Sequence, residues 1–551
     1  MAFPNFPLIP NQSAALSGGG PVSVEWFNYW QRLGGALRDV NANRITLTPE
    51  RYGSKGTYET DERAFAEMAQ ETIDLGAKGI TWSLYPGKTY KVLGEPTPGE
   101  QNFVCQVPDT VGLRILRNGA RFECNYDWAA GDPDTSGFLF HFQNPVDLYC
   151  DGCEFENTVE LAATITTGVH LFTFGGRARG VRVGPIDMIG GGGAVFIDRG
   201  AGFDNAERGQ GYFFDLIKTR DVYYSLNTQF NGDGVWARIF TQNGGRSYFN
   251  INGSYHFIQV DVNDTRDVAQ LVDIAVGCEP GGENKVTNID LTVGGTHHGN
   301  VVNLQFGQET ITSTPGRMDN IKVRTRLQSE VSVTGGNLVS FGKTKSPAAG
   351  GGFDDTARGH IARGIEVSGS CHNVDADTRI GAICTDGDWN GEDVDIAFRD
   401  FAVTGGQDLI IDGRGMTRLT FDKVRCPSGD LTLTNMAKGA LRVDGSVDFA
   451  NFKSEGASGG AEYQRFGNRV RQWGKKTCSN GNVITDVTLP VALRSGEPDH
   501  AVVSQRTTGN SDTAATLTSV TNLRINRALA AGDRDVDWQV TGYSDATGSP
   551  A

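Results

Sequence analysis

Between positions 386 and 395 the chain reads Asp386-Gly387-Asp388-Trp389-Asn390-Gly391-Glu392-Asp393-Val394-Asp395. Neighbouring carboxylates are what general acid and base chemistry on a glycosidic bond requires, and an indole beside them offers a flat apolar face for a sugar ring. Asp386, Asp388 and Glu392 are therefore the candidate catalytic set, with Trp389 as a candidate binding platform. A solvated acidic turn has the same composition, and 65 Asp and Glu residues make chance clusters inevitable. Asp386, Asp388, Asn390 and Gly391 also mimic the first half of a calcium loop. Its twelfth position is Ala397, where a bidentate Glu is needed, so no metal and no cofactor is assigned. Trp236 and Trp538 are the other candidate binding residues, with Tyr248 and Tyr255 behind them. Asn231-Gly232-Asp233-Gly234, Thr296-His297-His298 and Glu366 are weaker polar candidates.

The elements that must hold these groups are β-structured. The 551 residues include 73 Gly, nearly twice the ~7 % of ordinary soluble chains, and only 6 Met. Hydrophobic residues at 38 % suffice for a large core. A net charge of −15 without any Lys/Arg-rich run excludes a nucleic-acid footprint. The first residues lack a basic and then apolar leader, and no stretch reaches the ~18 apolar residues that span a bilayer, so neither conventional export nor membrane insertion is expected. Nine scattered Cys read as reduced, buried side chains; Cys150-Asp151-Gly152-Cys153 lacks the second pair of a zinc site.

From about 110 to 450 the chain repeats an apolar–polar–apolar triplet bounded by Gly, Asn or Asp. Val181-Arg182-Val183, Ile289-Asp290-Leu291, Ile321-Lys322-Val323, Ile365-Glu366-Val367, Val394-Asp395-Ile396, Leu419-Thr420-Phe421 and Leu441-Arg442-Val443 are examples. Their unequal intervals fit stacked coils with loops of different length, not propeller blades. Helical patterns are confined to the N-terminal part. One runs from Ser23 to Leu37 with Trp26, Phe27 and Trp30 on a stripe, and one from about Thr60 to Leu75 with Ala64, Phe65, Met68 and Ala69 on a face. An amphipathic helix at the end of a solenoid would cover its otherwise wet terminal layer.

Tyr52-Gly53, Thr60-Asp61, the helix, a strand from Ile80 to Leu84 and Pro86-Gly87-Lys88-Thr89-Tyr90 together resemble the opening of the pectate-lyase-like right-handed β-helix superfamily. Ser54 to Glu59 stand where that family carries a Gly-Asp-Gly turn. At the other end Gln472-Trp473-Gly474, Val487-Thr488-Leu489-Pro490-Val491 and Trp538-Gln539-Val540-Thr541-Gly542-Tyr543 resemble the C-terminal domain of bacteriophage tail fibres and phage-tail-like bacteriocins. Jointly the chain resembles a phage tailspike or tail fibre.

The expected architecture is all-β: a right-handed parallel β-helix with a small N-terminal helical arm and a C-terminal β-sandwich-like domain. The resemblance divides it into a virion-anchoring arm (1–45), a capping region (46–110), the β-helix (111–455) and a trimerisation or receptor-binding domain (466–551). It further implies a homotrimer, contact with phage tail or baseplate proteins through the arm, and binding of a bacterial surface glycan, lipopolysaccharide or capsule. A virion tail component assembled in the host cytoplasm is the matching location. Two alternatives stay open beside a glycan-degrading spike: a non-enzymatic receptor-binding fibre, and a free carbohydrate-active β-helix enzyme. The motifs of polygalacturonases do not occur together.

Overall fold

The computed structural model describes residues 45–128, 135–159, 168–197, 209–229, 232–251, 253–276, 285–306, 316–329, 339–343, 360–373, 391–404, 409–412, 416–434, 441–444, 446–455, 461–466, 469–478, 484–488, 498–505, 513–519, 522–527 and 534–543. The helix expected over Ser23–Leu37 and all but residue 45 of the expected arm lie outside them, as do Asp386, Asp388 and Trp389.

As far as the strand Val447–Glu455, successive strands pair in parallel, each with the strand one coil further along, so the register threads single files of residues along the described coils. In the first sheet one file runs Thr46, Thr81, Arg114, Tyr149, Arg182, Phe213, Trp236, Phe257, Asp290, Lys322, Glu366, Ala397, Thr420, Arg442. A second sheet stacks Tyr90, Phe122, Phe155, Met188, Thr219 and Thr241. A third stacks Cys105, Phe140, Phe172, Val195, Leu226, Tyr248, Val272 and Val302. Three parallel sheets wound about one core make a parallel β-helix, as the triplets predicted.

Burial explains the winding. Side chains alternate across a strand, so one apolar face per sheet turns inward. Phe140, Phe172, Phe174 and Phe214 are at most 1 % exposed, and Phe140 stacks on Phe172 with centroids 5.2 Å apart. The chain turns into the first sheet through one left-handed residue per coil. Gly79, Gly112, Asp147, Gly180, Gly211, Gly234, Tyr255, Asn288, Asn320 and Gly364 all have φ between 54° and 75°, a region that Gly, Asn and Asp tolerate best. Tyr255 is the exception in that column.

The N-terminal cap is built from the residues of the opening motif. The helix Tyr58–Asp74 buries Ala64, Phe65, Met68 and Ala69 against the first coils, with Phe65 meeting Tyr90 edge-on at 5.1 Å. Thr57 caps it, its hydroxyl accepting from the Thr60 amide. Asp61 is fully buried and accepts from Ser54 Oγ (2.7 Å), the Gly56 amide (2.9 Å) and the Lys91 amide (2.9 Å). Tyr90 donates its hydroxyl to Glu50 (2.8 Å), which also pairs with Lys88 (3.0 Å). The Tyr52–Gly53, Asp61 and Tyr90 positions therefore tie the cap together.

After the strand Val447–Glu455 the pairing changes from parallel to antiparallel. One sheet orders Ala461–Phe466, Arg469–Cys478, Arg534–Tyr543 and Pro498–Gln505; the other orders Ile484–Thr488, Asn522–Arg527 and Thr513–Ser519. The register sets Gln472, Trp473 and Gly474 opposite Val540, Gln539 and Trp538, so two of the three C-terminal motifs lie side by side. Six described cysteines (105, 124, 150, 153, 371, 426) are buried free thiols. Burial pushes the Cys150 thiol up to about 12.

Candidate functional site

The middle residue of each apolar–polar–apolar triplet points out of the first sheet. On the consecutive coils Gly209–Gln229, Gly232–Gln242 and Ser254–Val276 those outward positions are aromatic: Phe213, Trp236 and Phe257, all half-buried. Phe213 and Trp236 lie face to face with ring centroids 4.4 Å apart and planes within 5°. Strand spacing of ~4.8 Å sets that separation, and the register keeps the two rings parallel. The Arg182 guanidinium sits 5.2 Å from the centroid of Phe213, and Arg238 sits 5.8 Å from that of Trp236. Arg238 also pairs with Asp215 at 2.7 Å and donates to the Asp215 carbonyl at 2.9 Å. Both partners are more than 40 % exposed, so the pair orients more than it stabilises, contributing ~0–1 kcal/mol. Tyr255, 38 % exposed, stands at the turn beside Phe257.

This surface offers a sugar the outer edges of the Phe213–Trp236 stack while guanidinium, carboxylate and amide groups reach the ring substituents. Nothing in it demands a metal or cofactor.

The remaining candidates distribute unevenly. Trp236 is the candidate that the fold sets within an aromatic group at the surface. Trp538 is 2 % exposed and Tyr248 fully buried; Tyr248 points inward beside His256, to which its hydroxyl is hydrogen-bonded. As positioned, neither offers a ring face to a ligand. Glu392 lies on the strand Gly391–Thr404. Asp395 pairs with Arg418 at 3.5 Å. Glu366 faces outward, 3.6 Å from Arg399. Asp233 holds a turn, accepting from the Ser254 amide and hydroxyl at 3.0 and 2.7 Å. Phe213 and Phe257 went unflagged because they sit in the runs Tyr212-Phe213-Phe214 and His256-Phe257-Ile258, where no polar residue marks the outward position.

A second outward surface lies on the third sheet. There Phe103, Phe138 and His170 stack with centroid separations of 4.9 and 5.1 Å. Next to them the file His141, Thr173, Phe196, Asn227, Phe249, Asp273, Asn303 continues along the coils. Asp273 is fully buried, 2.9 Å from Arg246 Nε and 2.9 Å from the Asn303 amide that donates to it. Thr173 Oγ1 and Asn227 Oδ1 are buried without a hydrogen-bond partner. Burial pushes the His170 imidazole down to about 4 and lowers His141 as well, so both rings are neutral near pH 7.

No family model matches the chain, and no curated protein matches it. Among solved structures it is similar to the tailspike protein gp49 of Acinetobacter baumannii bacteriophage Fri1, described as a capsular polysaccharide depolymerase (8 % identity, 92 % of this chain and 88 % of that one covered, TM-score 0.23). It is also similar to the Gp54 tailspike of A. baumannii bacteriophage AP22 in complex with a capsular saccharide (9 %, 92 % and 97 %, TM-score 0.25). A mutant tailspike protein of Escherichia coli bacteriophage HK620 is a third (11 %, 92 % and 94 %, TM-score 0.28). At scores this low the strand register, not these likenesses, establishes the fold: an all-β parallel β-helix with an antiparallel C-terminal region.

Proposed function

We propose that the chain is a phage tailspike or tail fibre that attaches a virion to a bacterial surface polysaccharide. The observation that carries this reading is the Phe213–Trp236 stack, turned outward on a rigid β-helix and bracketed by Arg182 and Arg238. Stacked rings held at the surface by backbone register are preorganised, so a sugar ring docks without ordering loose side chains. The motif resemblances at both ends support the same reading.

Three such columns side by side would cover one face of each slender core, so the working assembly is a homotrimer. The arm 1–45 then serves as the virion contact. Where the polysaccharide is also cut, Asp386, Asp388 and Glu392 are the assigned carboxylates and Trp389 their platform.

The test is titration of the full-length protein with purified capsular polysaccharides and lipopolysaccharide O-chains, comparing wild type with Trp236→Ala. Loss of one stacking platform predicts at least ~10-fold weaker binding. Failure of every polymer to bind contradicts the reading. New reducing ends or unsaturated uronate absorbance would report cleavage, and unchanged cleavage by Asp388→Asn would remove the 386–395 run from the catalytic assignment.

A further inference from the structure

Arginines on the outer face of the first sheet fall into two groups. Arg238, Arg324, Arg399 and Arg418 each reach a carboxylate: Asp215, Asp290, Asp422 with Glu366, and Asp395 respectively. Arg114 and Arg182 do not; among the described residues their recorded partners are rings. Arg114 lies 5.1 Å from the centroid of Tyr149, and Arg182 lies 5.2 Å from that of Phe213.

Their placement is ordered. Arg114, Tyr149, Arg182, Phe213, Trp236 and Phe257 occupy consecutive rungs of one file, all half-buried. At ~4.8 Å per rung the five steps span roughly 24 Å, room for several linked sugar rings. A guanidinium lying over a ring keeps its N–H donors at its edge, where they can form the paired hydrogen bonds that a carboxylate accepts. Half-burial lowers the local dielectric and strengthens that pairing.

We propose that this file binds an acidic polysaccharide, the carboxylate of one sugar residue engaging Arg182 and that of a further residue engaging Arg114 across Tyr149, while the sugar rings beyond Arg182 run along the Phe213–Trp236 stack. The proposal rests on the glycan-binding reading above and assigns the charge class of its ligand.

The probes are acidic capsular polysaccharides, the same polymers after chemical reduction of their carboxylates to primary alcohols, and a glycerol-phosphate polymer lacking carboxylates. Wild type should bind the native polymer at least ~10-fold more tightly than its reduced form, with an affinity that falls as salt rises. Arg182→Gln and Arg114→Gln should each erode that preference while leaving the melting temperature in place. Arg182→Lys should restore the salt dependence but not the full affinity. Trp236→Ala should weaken both polymer forms together.

Equal binding of native and reduced polymers, with Trp236→Ala still weakening both, overturns the acidic-ligand proposal and leaves the glycan-binding reading standing. Tighter binding of the phosphate polymer overturns the carboxylate assignment. A changed molar mass in Arg182→Gln with unaltered affinity makes the file a contact between copies of the chain, and overturns it too. Binding of none of the polymers removes both readings.

Discussion

Replacing Asp61 with alanine should cost about 3–5 kcal/mol of folding stability, and the origin of the figure is local. Its carboxylate is buried and accepts three hydrogen bonds, one from the Ser54 hydroxyl and two from the Gly56 and Lys91 amides. Those bonds hold three separate pieces of the cap: the turn before the helix, the helix itself and the strand Thr89–Lys91. Removing the acceptor leaves three donors with no partner, each costing ~1–3 kcal/mol if it stays dry, with water entry recovering part of the total. Asp61→Asn keeps one acceptor oxygen but aims an amide at a donor, and should cost roughly half as much. Urea titration of the full-length protein reads the difference, with circular dichroism following the β-helix and near-ultraviolet absorption following buried Trp82 and Tyr90. The first transition should move to lower urea in both variants, in the order Ala beyond Asn. A shift under ~1 kcal/mol in Asp61→Ala would refute the claim that this carboxylate pins the cap.

Thr173→Val should raise stability by ~1 kcal/mol, because it replaces a buried, unpartnered hydroxyl with a methyl of similar shape; differential scanning calorimetry would show a higher melting temperature. Tyr255→Asn should gain ~0.5–1 kcal/mol by relieving a left-handed backbone at φ 62°, and an unchanged melting temperature would place no strain there. Because the folded His170 titrates at about 4, below its ordinary 6.5, its stabilising contribution is complete above pH 6.5 and is lost as pH falls towards 4. His170→Phe keeps the stack on Phe138 and should flatten that acid limb in a series of melting curves from pH 7 to pH 4.

The β-helix was legible because inward and outward positions differ chemically in most triplets. Arg182, Asp290, Lys322, Glu366, Thr420 and Arg442 are the polar middles of their triplets, and all six occupy the outward file of the first sheet. Val394-Asp395-Ile396 follows the alternation, but Asp395 falls two residues short of this file, which passes through Ala397. A pairing irregularity between Ala362 and Ile365 delivers Ala397 opposite Glu366, and in the next pairing Asp395 lies opposite Arg418. Such slips leave no mark in a hydropathy pattern. Aromatic exposure was harder to read. Trp236 and Tyr248 both sit in β-rich context, yet one faces out and the other in, because the direction depends on register across neighbouring coils. The cap residues Tyr52, Gly53, Asp61 and Tyr90 were visible as a motif, but their spacing alone did not show that they meet around Glu50, Ser54 and Glu71. The ordering of the Arg–aromatic file became visible only once the coils were stacked.

The most direct test of the account is a crystal or cryo-electron-microscopy structure of the full-length protein with an acidic oligosaccharide bound. It should show a pyranose packed against the Phe213–Trp236 stack and a sugar carboxylate within hydrogen-bonding distance of Arg182, across parallel coils. Sugar density confined to another surface, with the Phe213–Trp236 rings bare or packed against a second copy, would contradict it.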